Sequence, residues 1–174
     1  MKLFFKILIL IFFSINANSE TLILGVERDW TAYRSENGDK RTCFISAEPK
    51  SSKGDYKKEN RGDVRVYVTH GPSQDVTNEV SIKAGYDHKE QSIVKYEIDG
   101  RKKFSLFTLK DRAWAETPEL DSKIVGAMKS GNKLVDPDPR FNWCTFILFH
   151  KALGGHTFTN PLFPNRVNFM AFLW

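Results

Sequence analysis

Apolar and polar positions alternate with period two through most of the chain, the pattern of strands with one buried face. Val64, Val66 and Val68 alternate with Arg65, Tyr67 and Thr69. Val80, Ile82 and Ala84 alternate with Glu79, Ser81 and Lys83, and Gly85 closes that run. Val94, Tyr96 and Ile98 share a third face. Asp99-Gly100 then reads as a two-residue hairpin turn, and the strand from Lys102 to Leu109 returns. The alternation slips at Leu106-Phe107, which predicts a bulge or a strand buried on both faces. Upstream, Trp30–Arg34 and Arg41–Ala47 flank Asn37-Gly38, a second hairpin signal.

Two stretches break the strand rhythm. Residues 48–62 are rich in Lys, Ser, Gly and Asn and read as a solvated loop. Thr117-Pro118 opens a helix, since Thr caps free N–H groups and Pro suits the first helical position. Leu120, Ile124, Ala127 and Met128 then make one apolar stripe. Gly131 is placed as a left-handed residue just past the helix end. Lys133–Val135 begins a further strand. The expected fold is mainly β, an antiparallel sandwich or barrel-like sandwich with one short helix.

The first nineteen residues obey a different logic. Lys2 and Lys6 precede an uninterrupted apolar run, Ile7 to Phe13, followed by Ala17-x-Ser19. This is the form of an export signal cleaved before Glu20, and the run is too short for a membrane span. The expected location is the periplasm or the outside of the cell, with no transmembrane anchor after cleavage. The three segments are then a signal peptide at 1–19, a β-domain at 20–139 and a divergent or frame-shifted tail at 140–174. The tail holds half of the fourteen Phe residues and no acid.

Charge says little about partners. The chain has 174 residues and a formal charge of +5. Lys2, Lys6, Arg140, Lys151 and Arg166 supply the whole excess, so residues 20–139 are neutral. Nucleic-acid binding needs basic residues gathered on one folded face and is not expected. Cys43 and Cys144 have no disulfide or metal spacing signature and read as two separate thiols, with one bridge closing a long loop as the alternative.

Candidate chemistry is sparse. His70 precedes Gly-Pro and reads as a turn imidazole; His88 follows Asp87, and His150 and His156 lie in the tail. Asp63, Glu79 and Glu97 are scattered among strands. Asp136-Pro137-Asp138-Pro139 reads as a stiff turn. No catalytic, metal or cofactor site is expected. Arg101, Lys102 and Lys103 form a small basic cluster, read as a solvated edge, with contact to an anionic surface as the sharper alternative. Trp30 and Trp114 suit core packing, with a carbohydrate-stacking platform as the alternative.

One ordered set of motifs resembles a known family. It runs Asp29-Trp30-x-Ala32-Tyr33, Cys43-Phe44-Ile45-Ser46, Arg65-Val66-Tyr67-Val68-Thr69, Asn78-Glu79-Val80-Ser81 with Ala84-Gly85-Tyr86, Ile98-Asp99-Gly100, Ala113-Trp114-Ala115 and Ala127-Met128-Lys129-x-Gly131. The set is similar to the invasion-associated locus B family, small exported proteins of alphaproteobacteria. The resemblance covers about residues 28–136. It implies a non-enzymatic envelope protein acting through surface interactions, with host-cell association in some relatives and an unknown protein or envelope partner here. Trp30, Cys43, Val66, Val68, Glu79, Gly85, Tyr86, Asp99, Gly100, Trp114, Met128 and Gly131 enter as fold determinants. The alternative is a periplasmic module binding a glycan or another anionic ligand; an enzyme with an uncharacterised site ranks last.

Overall fold

The computed structural model describes residues 20–54, 57–135 and 143–147. Its strands are β1 (Glu20–Glu27), β2 (Trp30–Asn37), β3 (Lys40–Ala47), β4 (Ser51–Lys53), β5 (Arg65–Gly71), β6 (Val76–Lys83), β7 (Ile93–Ile98), β8 (Lys102–Leu109), β9 (Arg112–Trp114), β10 (Lys133–Val135) and β11 (Trp143–Ile147). One α-helix, α1, spans Pro118–Ser130. Among the described residues the fold is mainly β with a single α-helix, as its pattern requires. The proposed signal at 1–19 and most of the tail lie outside the described residues. Within the tail, Trp143–Ile147 forms β11, and Phe146 is fully buried in the core.

All eleven strands join one antiparallel sheet in the order β1-β2-β3-β5-β6-β9-β8-β7-β10-β11-β4. Two separately bonded layers are not seen among the described residues. The connection from β3 to β4 shows how this sheet makes a core. The two strands stand eight places apart in the order. Flat, they would be roughly 38 Å apart at about 4.8 Å per strand. Only residues 48–50 join them, a link that reaches about 14 Å at full stretch. The sheet must therefore curl until β4 returns beside β3, a barrel-like closure made by the chain itself. β4 lies inside the stretch that composition assigned wholly to loop.

The curl gives an inner and an outer face. Trp30, Ala32, Ile45, Val66, Val68, Val80, Ile82, Leu106 and Leu134 are buried in one cluster, with Ile124, Val125 and Met128 from α1. The helix begins as expected: the Thr117 side chain accepts from the Leu120 N–H, and Pro118 is the first helical residue. Its end differs. Gly131 is extended, with φ −90°, and its N–H bonds to the Ala127 carbonyl. The chain leaves straight into β10, so no left-handed reversal is needed.

Both hairpins form, with shifted turns. Asn37 pairs with Lys40, leaving Gly38 and Asp39 as the loop. Ile98 pairs with Lys102, so the second loop has three residues, Asp99, Gly100 and Arg101. Asp99 and Gly100 both hold positive φ, 55° and 68°. The Asp99 carboxylate explains the longer loop: it accepts the backbone N–H groups of Asn132 and Lys133 at 3.0–3.1 Å. The turn residue thereby fastens β10 to the hairpin. Gly85, at φ +76°, faces Gly62 so closely that a Cβ would sit 2.4 Å from the Gly62 carbonyl oxygen. Strand β1 was not legible as a strand, because Leu22, Ile23 and Leu24 run together without alternation.

Candidate functional site

The break in alternation at Leu106-Phe107 is neither a bulge nor a doubly buried strand. β8 runs in unbroken register against β7. Leu106 and Thr108 point inward and are buried, while Phe107 and Leu109 point outward and are 44% and 59% exposed. Two large apolar side chains thus stand on the solvent face of the strand, where polar residues are usual.

They do not stand alone. Ile93 pairs with Phe107, Phe107 with Trp114, Trp114 with Ser81, and Ser81 with Tyr67. One lateral row therefore crosses β7, β8, β9, β6 and β5 on the outer face. The Phe107 and Trp114 rings stack with centroids 5.9 Å apart. Farther along, the Arg112 guanidinium lies over the Tyr67 ring at 4.7 Å and donates to the Ser81 hydroxyl at 3.3 Å. Burial pushes the Tyr67 phenol up, against the opposing pull of Arg112. Tyr33 stacks on Phe44 at 4.8 Å, and Phe44 reaches Tyr67 at 6.1 Å, so aromatic contact continues onto β3 and β2.

At its β7 end the row opens into a hollow of about 600 Å³. Ile93, Phe107 and Leu109 form its sheet wall, and the segment 87–92 forms the other side. That segment is pinned at both ends. The His88 N–H donates to the Lys110 carbonyl at 2.8 Å, and the Thr108 N–H donates to the Ser92 carbonyl at 3.2 Å. The Ser92 and Thr108 hydroxyls meet at 2.7 Å. Burial lowers the His88 pKa against the pull of Asp111 and Asp87, so the imidazole is neutral at pH 7. The volume lies within the usual range of ligand pockets, roughly 300–1,000 Å³.

Two of the cations beside the row carry partners, while Lys89 and Lys110 line the hollow itself. Arg65 bonds to Asp63 and Glu48, and Lys83 lies 3.9 Å from Asp111. This face offers stacking and apolar contact more than net charge. Arg101, Lys102 and Lys103 lie apart from it. Lys103 pairs with Glu97 at 2.9 Å, while Arg101 and Lys102 border a smaller hollow beside the end of α1. β8 lies between β7 and β9, although its pairing with β9 starts only at Phe107.

The residues singled out in the sequence divide between core and surface. Trp30 is fully buried and serves the core, so a platform built on both Trp30 and Trp114 does not exist. Val66, Val68 and Met128 are core. Asp99, Gly100 and Gly85 shape turns, Tyr86 lies over His88 at 5.1 Å, and Glu79 neighbours the buried Asp121. Asp63, Glu79 and Glu97 stand on separate elements. His70 is a strand residue of β5, not a turn imidazole, and lies opposite Cys43, which is a free thiol. Among the described residues no cluster of three or more His, Cys, Asp or Glu could hold a metal ion. Sequence reasoning passed over Phe107 and Leu109 as functional residues; their signal was the broken alternation itself, read as a packing irregularity. Among the described residues no helix is long and apolar enough to cross a membrane. No family model, curated protein or solved structure matches this chain.

Proposed function

We propose that this is an exported envelope protein of the invasion-associated locus B type that works by contact, holding a protein partner on the outer face of its sheet. The observation that carries the reading is the in-register row Ile93–Phe107–Trp114–Ser81–Tyr67, with Ile93 and Phe107 exposed beside a hollow. Exposed apolar groups of this size favour a partner that removes them from water, at about 25 cal/mol per Å². The row offers stacking surfaces and methyl groups, and Arg65 and Lys83 beside it are paired with acids; this supports binding over turnover.

A glycan ligand is the second reading. The stacked Phe107–Trp114 pair favours it, because a sugar ring lies flat on such a surface. The two readings separate by experiment. Immobilised full chain is offered envelope extract, and any captured protein is tested for direct binding after purification. A protein partner is lost with Phe107→Lys and unaffected by Lys95→Ala on a neighbouring exposed position. Binding on a glycan array that disappears with Trp114→Ala supports the second reading. Binding of either kind that survives both Phe107→Lys and Trp114→Ala overturns the assignment of this face. Export is tested by fractionation and by N-terminal sequencing of the mature chain, expected to begin at Glu20.

A further inference from the structure

The inner face holds a second arrangement, unrelated to the outer row. Ala32, Ile45, Val68 and Val80 lie in register on β2, β3, β5 and β6 and belong to the core. Two residues on along these strands, away from the β3–β4 link, stand Arg34, Cys43, His70 and Asn78. Arg34 is opposite Cys43, and Cys43 is opposite His70. The backbone N–H of Asn78 donates to His70 Nδ1 at 3.4 Å. A register shift between Thr69 and Gly71, together with φ 57° at Asn78, re-aims the chain here.

This row gathers unused hydrogen-bonding capacity. Among the described residues four buried side-chain polar atoms lack a hydrogen-bond partner, and three are here: Arg34 Nε, His70 Nε2 and Asn78 Oδ1. Since His70 Nδ1 accepts, the neutral ring carries its proton on Nε2, a free donor. Arg34 Nε lies 3.3 Å from Glu36 Oε1 but out of hydrogen-bond alignment. That oxygen already accepts from Arg41 Nε at 3.0 Å. Buried polar atoms left this way cost about 1–3 kcal/mol each, and most find a partner. Lys129 on α1 acts on His70, and Arg41 and Arg34 act on Cys43 against Glu36.

We propose that Arg34, His70 and Asn78 form a site for free hydrogen phosphate, with the Cys43 thiol as its neighbour. Two N–H donors call for acceptor oxygens, and the Asn78 oxygen calls for a donor. Hydrogen phosphate supplies both, through its bare oxygens and its P–OH. A carboxylate supplies acceptors only. A phosphate monoester well above its second pKa of about 6 has lost its P–OH and does the same.

Cys43 gives the readout. The full-length protein is treated with iodoacetamide, and alkylation is followed by mass spectrometry on the tryptic peptide Thr42–Lys50, which separates Cys43 from Cys144. Inorganic phosphate at about ten times its dissociation constant slows Cys43 labelling about tenfold, by simple occupancy. Acetate, and a simple alkyl phosphate at about pH 8, do not slow it at the same ionic strength. Arg34→Gln and Asn78→Ala abolish the protection while keeping the melting transition, and either variant alone suffices should the other fail to fold. Labelling indifferent to phosphate, equal protection by acetate or the monoester, or protection that persists in both folded variants overturns the proposal.

Discussion

The carboxylate of Asp121 on α1 accepts the backbone N–H of Val80 on β6 at 2.8 Å. β9 pairs with β6 only from Ser81 to Lys83, so Asp121 takes the ladder position where the neighbouring strand has stopped. A helix side chain thus completes a sheet hydrogen bond and fixes α1 against the core. Asp121 is only 7% exposed. Burial raises its pKa to about 6 from an ordinary 3.8, against the Val80 hydrogen bond and with help from Glu79.

The pH dependence follows from that shift. The folded protein holds the proton to higher pH than the unfolded chain, so it binds more protons between pH 3.8 and about 6. Stability from this group is full below 3.8 and is lost as pH rises through about 6. Asp121→Asn keeps an acceptor without the charge. It is expected to be more stable than the parent at pH 7, the gain vanishing near pH 4, as checked by urea unfolding at several pH values. Asp121→Ala leaves the Val80 N–H buried and unpaired and loses about 1–3 kcal/mol.

Leu106 and Phe107 are adjacent in sequence and opposite in consequence. Leu106→Ala opens a cavity and is expected to cost about 2–5 kcal/mol. Phe107→Ser is expected to cost about 1 kcal/mol, chiefly its stacking on Trp114. Chemical denaturation of both variants tests which face each residue occupies; equal losses would contradict the orientation of β8.

Asp99 ties a hairpin loop to the strand after α1. Burial raises its pKa slightly, but the N–H groups of Asn132 and Lys133 outweigh this and hold the carboxyl below its ordinary range. Asp99→Ala is expected to speed hydrogen exchange at Asn132 and Lys133 and to leave the β2–β3 hairpin unchanged. Unaltered exchange at those two amides would show that the carboxylate does not hold β10.

Gly85 admits no side chain. Gly85→Ala meets both positive φ and the Gly62 carbonyl oxygen, and is expected to lose about 2 kcal/mol or more, seen as a lower melting temperature.

The sequence carried the inner face of this protein well. Val66, Val68, Val80, Ile82 and the α1 stripe are core because burial on one side of a strand or helix leaves a periodic trace. The capping Thr117 was also legible, since it acts on its own backbone, and so was the place of the Asp99-Gly100 hairpin, though not its three-residue loop, which goes with contacts to Asn132 and Lys133. What stayed hidden depends on long-range register. Nothing local in Ser51–Lys53 announces a strand, because its partner is β11, about ninety residues away. Cys43 meets His70 only through the pairing of β3 with β5, and Ile93, Phe107, Trp114 and Tyr67 become one row only once five strands align. Strand order is fixed by the sum of many pairings, and no single stretch records it.

The short bridge of residues 48–50 also sets a timetable for maturation. β4 is translated early, yet its hydrogen-bonding mate is Trp143–Ile147. As the polypeptide leaves the ribosome amino end first, the seam stays unzipped until that late strand has emerged. Any product terminated earlier keeps a gap where Phe146 belongs. The seam pairing, the most distant along the sequence among the described strands, carries the largest loop-closure entropy of these pairings and belongs to a late stage of assembly.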